Sequence, residues 1–151
     1  MISFFKKIFQ KKEQNNEKNL ISILINDHKN LIQIYEKIDK LMEKNDFINV
    51  QYEVKKFISE YNKHIVLEDT HLYIALEEKY KDKPEILNTI KNISKDMHAI
   101  SKTITLFEKK HTTLNHDNKT IFEEEFKYIG QILLARIELE EERLYPLLWK
   151  R

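Results

Sequence analysis

Two segments of the chain share a pattern of residues that is suited to metal chemistry. One contains His64 and Glu68, the other contains Arg136 and Glu140, and in both a Leu-Tyr pair begins four residues after the glutamate. Residues four apart lie on one face of a helix, so each pair points in one direction. Histidine and glutamate are metal ligands, whereas arginine stays protonated and cannot ligate a metal. The sequence therefore predicts a metal site in which a cation replaces one of two matching ligands.

Further polar residues interrupt the apolar stripes of the helices. His28 lies near the middle of the first periodic segment, and His98 lies beside the apolar line of the third. Because the mid-points of antiparallel helices meet, we expect both to share one layer with His64 and Arg136. Burying this polarity costs several kcal/mol unless each group finds a partner. A metal held by imidazoles and carboxylates would satisfy them, and a hydrogen-bonded core residue is the alternative for each histidine taken alone.

Composition limits the fold and the chemistry. The chain has 151 residues, 41% of them hydrophobic, which suits one core and one domain. A single glycine and two prolines favour an all-α fold. The absence of cysteine excludes disulfides, thiolate zinc sites and cysteine-ligated iron–sulfur clusters. The net charge of +1 gives no electrostatic case for nucleic acid, and no apolar run approaches the roughly 20 residues of a membrane span. We therefore expect a cytoplasmic protein.

Four periodic segments with short breaks predict the architecture. The first three cover approximately residues 19–44, 47–79 and 84–112, and the fourth follows the capping residues 116–118 with an apolar stripe from Phe122 to Leu147. Short loops force consecutive helices to be antiparallel, so the sequence predicts an up-down-up-down four-helix bundle over residues 19–151. Pro146 is expected to bend or end the last helix.

Residues 1–18 are predicted to form a short amphipathic N-terminal arm, with a polar linker at residues 13–18. Phe5, Ile8 and Phe9 recur at helical spacing among lysines, as in a helix lying on a membrane surface. The alternative is a helical arm packed on the bundle or on a partner. We favour the packed arm over membrane contact by residues 1–12, because so short an amphipathic segment is a weak signal.

The polar positions together resemble a known family. They read Asp27-His28, His64-x3-Glu68, Met97-His98 and Arg136-x3-Glu140 followed by Leu144-Tyr145-Pro146. This series is similar to the hemerythrin-like, or HHE cation-binding, family over about residues 20–149. The resemblance implies a four-helix bundle with non-haem iron, commonly a two-iron centre, that binds oxygen, senses oxygen or nitric oxide, or handles iron. It implies these metal ligands: His28, His64, Glu68, His98 and Glu140.

Arg136 stands where that family has a ligand histidine. A guanidinium about 5 Å from a metal repels each metal charge by about 3 kcal/mol at an effective dielectric constant of 20. A metal could persist as a mononuclear or asymmetric centre, with Arg136 as a charge-compensating neighbour of the ligands. Alternatively, Arg136 could pair with Glu140 and Glu68 and replace the metal by a built-in cation. Some family members have a second histidine one turn after the one on the third helix. In this chain that position holds Lys102.

A second resemblance concerns the same arginine. The stretch from His116 to Glu140, with Gly130 and with Arg136 ahead of Leu-Glu, is similar to the regulator of sigma D (Rsd/AlgQ) family. That resemblance implies a metal-free helical bundle that binds the housekeeping sigma factor of RNA polymerase. Our first hypothesis is the metal-binding sensor, store or small-molecule binder, and our second is the sigma regulator. No nucleophile motif, phosphate loop or hydrolytic carboxylate pair is present, so we do not expect an enzyme.

Overall fold

The chain forms the four-helix bundle that the sequence predicts. A computed structural model describes the backbone of residues 2–150 and the side chains of residues 16–150. Its helices are α1 (Ile2–Glu43), α2 (Phe47–Leu67), α3 (Tyr73–Lys79), α4 (Pro84–Lys110), α5 (Lys119–Leu139) and α6 (Tyr145–Trp149). One π-helical turn, Glu68–Leu72, joins α2 to α3, and another, Glu140–Leu144, joins α5 to α6. The six helices therefore form four long rods, and residues 2–150 contain no strand.

Local sequence sets where the rods begin and end. Asn45 has a φ of 55° in the turn after α1, a left-handed conformation that asparagine tolerates. The side chain of Asp46 then accepts a hydrogen bond from the backbone N–H of Asn49 and caps α2. Pro84 occupies the first turn of α4, where a missing N–H costs nothing. These short connections return each rod alongside its predecessor.

The N-terminal linker is a correction to the sequence prediction. Helix α1 begins at Ile2 and continues without a break through residues 13–18. These residues are mostly Glu, Gln, Asn and Lys, with neither glycine nor proline to stop a helix, so polarity alone does not end α1. The predicted surface of Phe5, Ile8 and Phe9 lies outside the described side chains. Within the described part of the chain, no helix combines the length and apolarity needed to cross a bilayer.

Two apolar clusters fill the bundle, one on each side of a polar layer. The larger cluster includes Leu31, Ile34, Phe57, Tyr61 and Leu133. The smaller includes Ile21, Leu24, Leu72, Leu76, Ile90 and Leu144. On α1, for example, His28 separates Leu24 of the smaller cluster from Leu31 of the larger one. Most of the buried polar side chains therefore lie at one level of the bundle, and Glu53, buried elsewhere on α2, pairs with Lys37.

Candidate metal centre

Five buried polar side chains form the layer between the two apolar clusters. They are His28, His64, Glu68, Arg136 and Glu140, and none exposes more than 5% of its surface. Helix α1 supplies His28, α2 supplies His64, α5 supplies Arg136, and the two π-helical turns supply the glutamates. The bundle therefore brings together four of the five predicted ligands and the arginine. Three of them, His28, His64 and Glu140, offer ligand atoms that all lie within 4.8 Å of one another and could hold a metal ion.

The two π-helical turns occupy the same place in the two matching sequence motifs. The backbone N–H of Tyr73 bonds to the carbonyl of Glu68, and that of Tyr145 bonds to the carbonyl of Glu140. In a regular α-helix, residues five apart point about 140° away from each other. The wider turn lets the glutamate and the tyrosine of each motif both be buried. Such turns are frequent at functional sites, because they re-aim side chains without ending the helix.

The tyrosine of each motif forms a hydrogen bond with a polar residue of the other motif. The hydroxyl of Tyr145 donates to Glu68 Oε2 at 3.0 Å, and Nη2 of Arg136 donates to the hydroxyl of Tyr73 at 2.9 Å. The Tyr145 hydroxyl also lies 3.2 Å from Nε2 of His28. Burial, followed by the charges of Glu68 and Glu140, raises the pKa of Tyr145, so its hydroxyl remains a donor. The paired motifs are thus tied to each other across the core.

Both histidines are held at one ring nitrogen by a carboxylate. Nδ1 of His28 lies 2.8 Å from Glu141 Oε2, and Nδ1 of His64 lies 3.0 Å from Asp27 Oδ2. A carboxylate at Nδ1 favours the tautomer that carries its proton there, which leaves the lone pair on Nε2. The two Nε2 atoms face each other at 3.2 Å. This carboxylate–histidine arrangement is the one that orients metal-binding histidines in proteins.

The two buried glutamates add acceptors to the same point. Glu140 Oε1 lies 3.2 Å from Nε2 of His28, and Glu68 Oε1 lies 3.4 Å from Nε2 of His64. Glu68 Oε1 and Glu140 Oε2 have no hydrogen-bond donor. An unsatisfied buried acceptor costs about 1–3 kcal/mol. Four acceptor-bearing side chains thus converge on one place, and a cation is needed to satisfy them.

Without a metal, protons serve as that cation. Burial and the nearby carboxylate of Glu68 raise the pKa of Glu140 well above its ordinary value. Burial also opposes ionisation of Glu68, but its polar contacts with His64 and Glu140 outweigh burial and lower the pKa of Glu68. Burial lowers the pKa of His64, yet the hydrogen bonds and charge of Glu68 and Asp27 give a net increase. Glu140 and His64 therefore hold their protons to higher pH than usual, whereas Glu68 favours its ionised form.

Arg136 is buried beside these groups and contacts only part of its predicted network. Its Nε lies 3.6 Å from Glu140 Oε2, so Arg136 forms an ion pair with a residue one helical turn further along the chain. Its Nη2 bonds to Tyr73, and Nε has no hydrogen-bond acceptor. Among residues 16–150, Arg136 forms no ion pair or hydrogen bond with Glu68. The three-way pairing of Arg136, Glu68 and Glu140 is therefore not formed. Arg136 offsets the charge of one carboxylate and leaves the other to the histidines and Tyr145.

Comparison with known proteins agrees with this arrangement. The family model described as the hemerythrin HHE cation binding domain matches residues 19–148. The chain belongs to this family. No curated protein and no solved structure matches the chain. Membership in the hemerythrin HHE family indicates a metal-binding protein, and His28, His64 and Glu140 of the buried layer could hold the metal.

His98 does not join the hemerythrin site. Its side chain is 60% exposed, and its Nε2 lies 3.3 Å from Asp69 on the surface. The inward position on α4 belongs to Met97, which is 3% exposed. One residue along an α-helix turns the side chain by about 100°, so a histidine directly after the inward position faces away. The prediction of His98 as a ligand is therefore wrong for this geometry.

Sequence reasoning missed two residues that support the ligands. Glu141 lies in a run of charged residues typical of a solvated face, but it is half-buried and accepts from His28. Asp27 was noticed only as part of the Asp-His pair, whereas it orients a histidine on a different helix. The signal for Asp27 was its place next to a core histidine. Nothing in the sequence distinguishes Glu141 from the neighbouring glutamates.

Proposed function

We propose that this hemerythrin HHE protein binds one metal ion, iron being typical of the family, through Nε2 of His28, Nε2 of His64, Glu68 and Glu140. The observation that carries the proposal is the convergence of these acceptors, two of whose oxygens have no donor. Two imidazoles and two carboxylates form a nitrogen and oxygen donor set that suits iron, manganese or zinc. The residues present therefore fit a metal.

Charge favours one ion over two. Arg136 already supplies a positive charge 3.6 Å from Glu140 Oε2. At about 5 Å it opposes each metal charge by about 3 kcal/mol, so a second divalent ion adds a further cost of about 6 kcal/mol. His98 on the third long helix is exposed, and Arg136 stands at the family's fourth-helix ligand position, which leaves too few donors for a second ion. A mononuclear centre is the arrangement we propose.

The role we propose is binding or sensing rather than catalysis. Four protein ligands leave a bound iron free to take a small ligand such as oxygen or nitric oxide. The Tyr145 hydroxyl donates to Glu68 Oε2 and so orients one of the proposed ligands. The two apolar clusters lie on either side of the layer.

Measurement of the metal content tests the proposal. Alanine variants of a buried and an exposed histidine are compared. Protein purified after iron supplementation is analysed by inductively coupled plasma mass spectrometry. We expect about one metal per chain in the wild type, less than a tenth in His64→Ala, and an unchanged content in His98→Ala, because His98 lies on the surface. A wild type with less than a tenth of a metal per chain would contradict the proposal, as would equal losses in the two variants.

A further inference from the structure

A cavity of about 320 Å³ adjoins the metal centre on the side of α1 and α5. His28, His64, Arg136 and Glu140 line its inner end. Its outer end reaches the exposed residues Ile32, Glu36, Asp39 and Leu134. The cavity thus connects the surface of the bundle with the buried polar layer.

The size of the cavity exceeds what a diatomic ligand needs. A water molecule occupies about 30 Å³ in the liquid, so the space equals that of about ten non-hydrogen atoms. Ligand pockets for small organic molecules begin near 300 Å³. The walls between the two ends are mostly apolar and partly aromatic, and they include Leu31, Phe57, Tyr61, Met97 and Leu133. An organic molecule with a mainly apolar body matches this space.

Gly130 and Tyr35 hold one wall of the cavity in place. The Tyr35 ring stacks on Phe126 with centroids 4.3 Å apart, and its hydroxyl donates to the Phe126 carbonyl at 3.1 Å. A Cβ on Gly130 would lie 2.3 Å from the Tyr35 hydroxyl, so only glycine leaves room for the ring there. The wall is thus fixed by packing and a hydrogen bond.

Charges at the two ends favour an uncharged occupant. Glu36 and Asp39 at the outer end repel anions, and burial together with Glu43, Glu123 and Glu36 raises the pKa of Asp39, which reflects that negative surface. At the inner end Arg136 pairs with Glu140, so a charged ligand gains little there while it loses its water between apolar walls. The inner side chains also offer hydrogen-bonding atoms, so one polar group on the ligand has partners there.

We propose that the cavity binds an uncharged, mainly aromatic molecule of about ten non-hydrogen atoms that carries one hydrogen-bonding group. Its aromatic body contacts the wall formed by Tyr35, Phe57 and Tyr61, and its polar group points to the buried layer. The site does not depend on a metal, because the cavity is formed by the helices themselves. A failure of metal binding would therefore leave this inference standing.

Three probes of similar shape and different charge test the inference. Chelator-treated full-length protein is titrated with benzyl alcohol, benzoate and benzylamine at pH 7, and binding is followed by ¹H–¹⁵N correlation spectra. We expect benzyl alcohol to give saturable shifts at residues of the cavity with a Kd at least tenfold lower than that of either ion. The inference would be overturned if benzyl alcohol showed no saturable binding, or if benzoate or benzylamine bound with an equal Kd.

Two matched tryptophan variants locate the binding. Leu134 is 51% exposed at the outer end of the cavity, whereas Leu106 is 58% exposed on α4 and does not line it. Leu134→Trp is expected to weaken benzyl alcohol binding at least tenfold, and Leu106→Trp to leave it unchanged. Both substitutions are on the surface and should preserve the fold, which circular dichroism checks. Unchanged binding in Leu134→Trp would contradict the inference.

Discussion

His28 and His64 show how few side chains define the centre. A carboxylate on Nδ1 directs the free nitrogen of each ring inward, and Glu68 and Glu140 bring oxygens to the same point. The result is an accumulation of acceptors, which is unfavourable in an apolar core unless a cation lies among them. A proton fills this role at low pH, and a metal fills it in the function we propose.

Arg136 decides how many metals fit, so its replacement is the first prediction. Arg136→His removes a positive charge beside Glu140 and adds an imidazole at the family's ligand position. We expect the iron content to rise from about one towards two per chain, measured by elemental analysis after anaerobic addition of Fe²⁺. Arg143→His is the control, because Arg143 is an exposed arginine in the π-helical turn that follows α5. An unchanged iron content in Arg136→His would show that the arginine does not limit the site.

The helices were more predictable than the turns within them. Apolar spacings of three and four along α1 or α5 reflect burial of one helical face, which a sequence shows directly. Each π-helical turn shifts the direction of the following side chains by one residue, but its amino acids are those of an ordinary helix. The sequence of Glu68–Leu72 and Glu140–Leu144 therefore predicts a regular α-helix. A shift of one residue also explains the position of His98. Met97 faces the core, so the next residue, His98, faces outward. His28 on α1, His64 on α2 and Arg136 on α5 could be predicted as buried because they lie on the apolar stripes themselves.

Packing of α1 against α5 gives a prediction at Gly130. Alanine there gains about 1 kcal/mol of helix propensity but forces Tyr35 to move, and overpacking costs about 1–3 kcal/mol. We expect Gly130→Ala to lower the free energy of unfolding by about 1 kcal/mol in urea titrations. In a Tyr35→Ala background the same substitution should stabilise the protein. A stabilising effect in the wild-type background would mean that Tyr35 does not occupy this space.

Across the whole molecule, the two apolar clusters supply the stability and the layer between them supplies the chemistry. Tyr145 donates a hydrogen bond to Glu68 of that layer, and Arg136 of the layer contacts Glu140 and donates to Tyr73. The metal-free alternative, a regulator that binds a sigma factor, stays a prediction. Its one supporting contact is the ion pair of Arg136 with Glu140, which the metal site uses equally well.

The metal-free protein should lose stability as pH rises. The folded-state pKa values of Glu140 and His64 lie above their unfolded values, so the stability from their protons is present at low pH and lost as pH rises through the folded values. Glu68 has the opposite shift, so its contribution is lost only as pH falls below its ordinary range. With chelator present, we expect the free energy of unfolding to fall from pH 6 to pH 8, by up to about 1.4 kcal/mol per pH unit for each proton released.

A matched variant assigns this pH dependence. Glu140→Gln keeps the shape of the side chain and cannot release a proton, so its unfolding free energy should vary less with pH than that of the wild type. Urea titrations at pH 6, 7 and 8 measure both. Identical slopes in the two proteins would exclude Glu140 as the source of the effect.

The position of a bound metal is the most direct test of the account. Crystals grown with iron are measured at the iron absorption edge, and an anomalous difference map locates the ions. We expect one peak within bonding distance of Nε2 of His28, Nε2 of His64, Glu68 and Glu140, and none beside His98. Two peaks in the layer would contradict the single-metal account, and the absence of any peak among these four side chains would contradict its central claim.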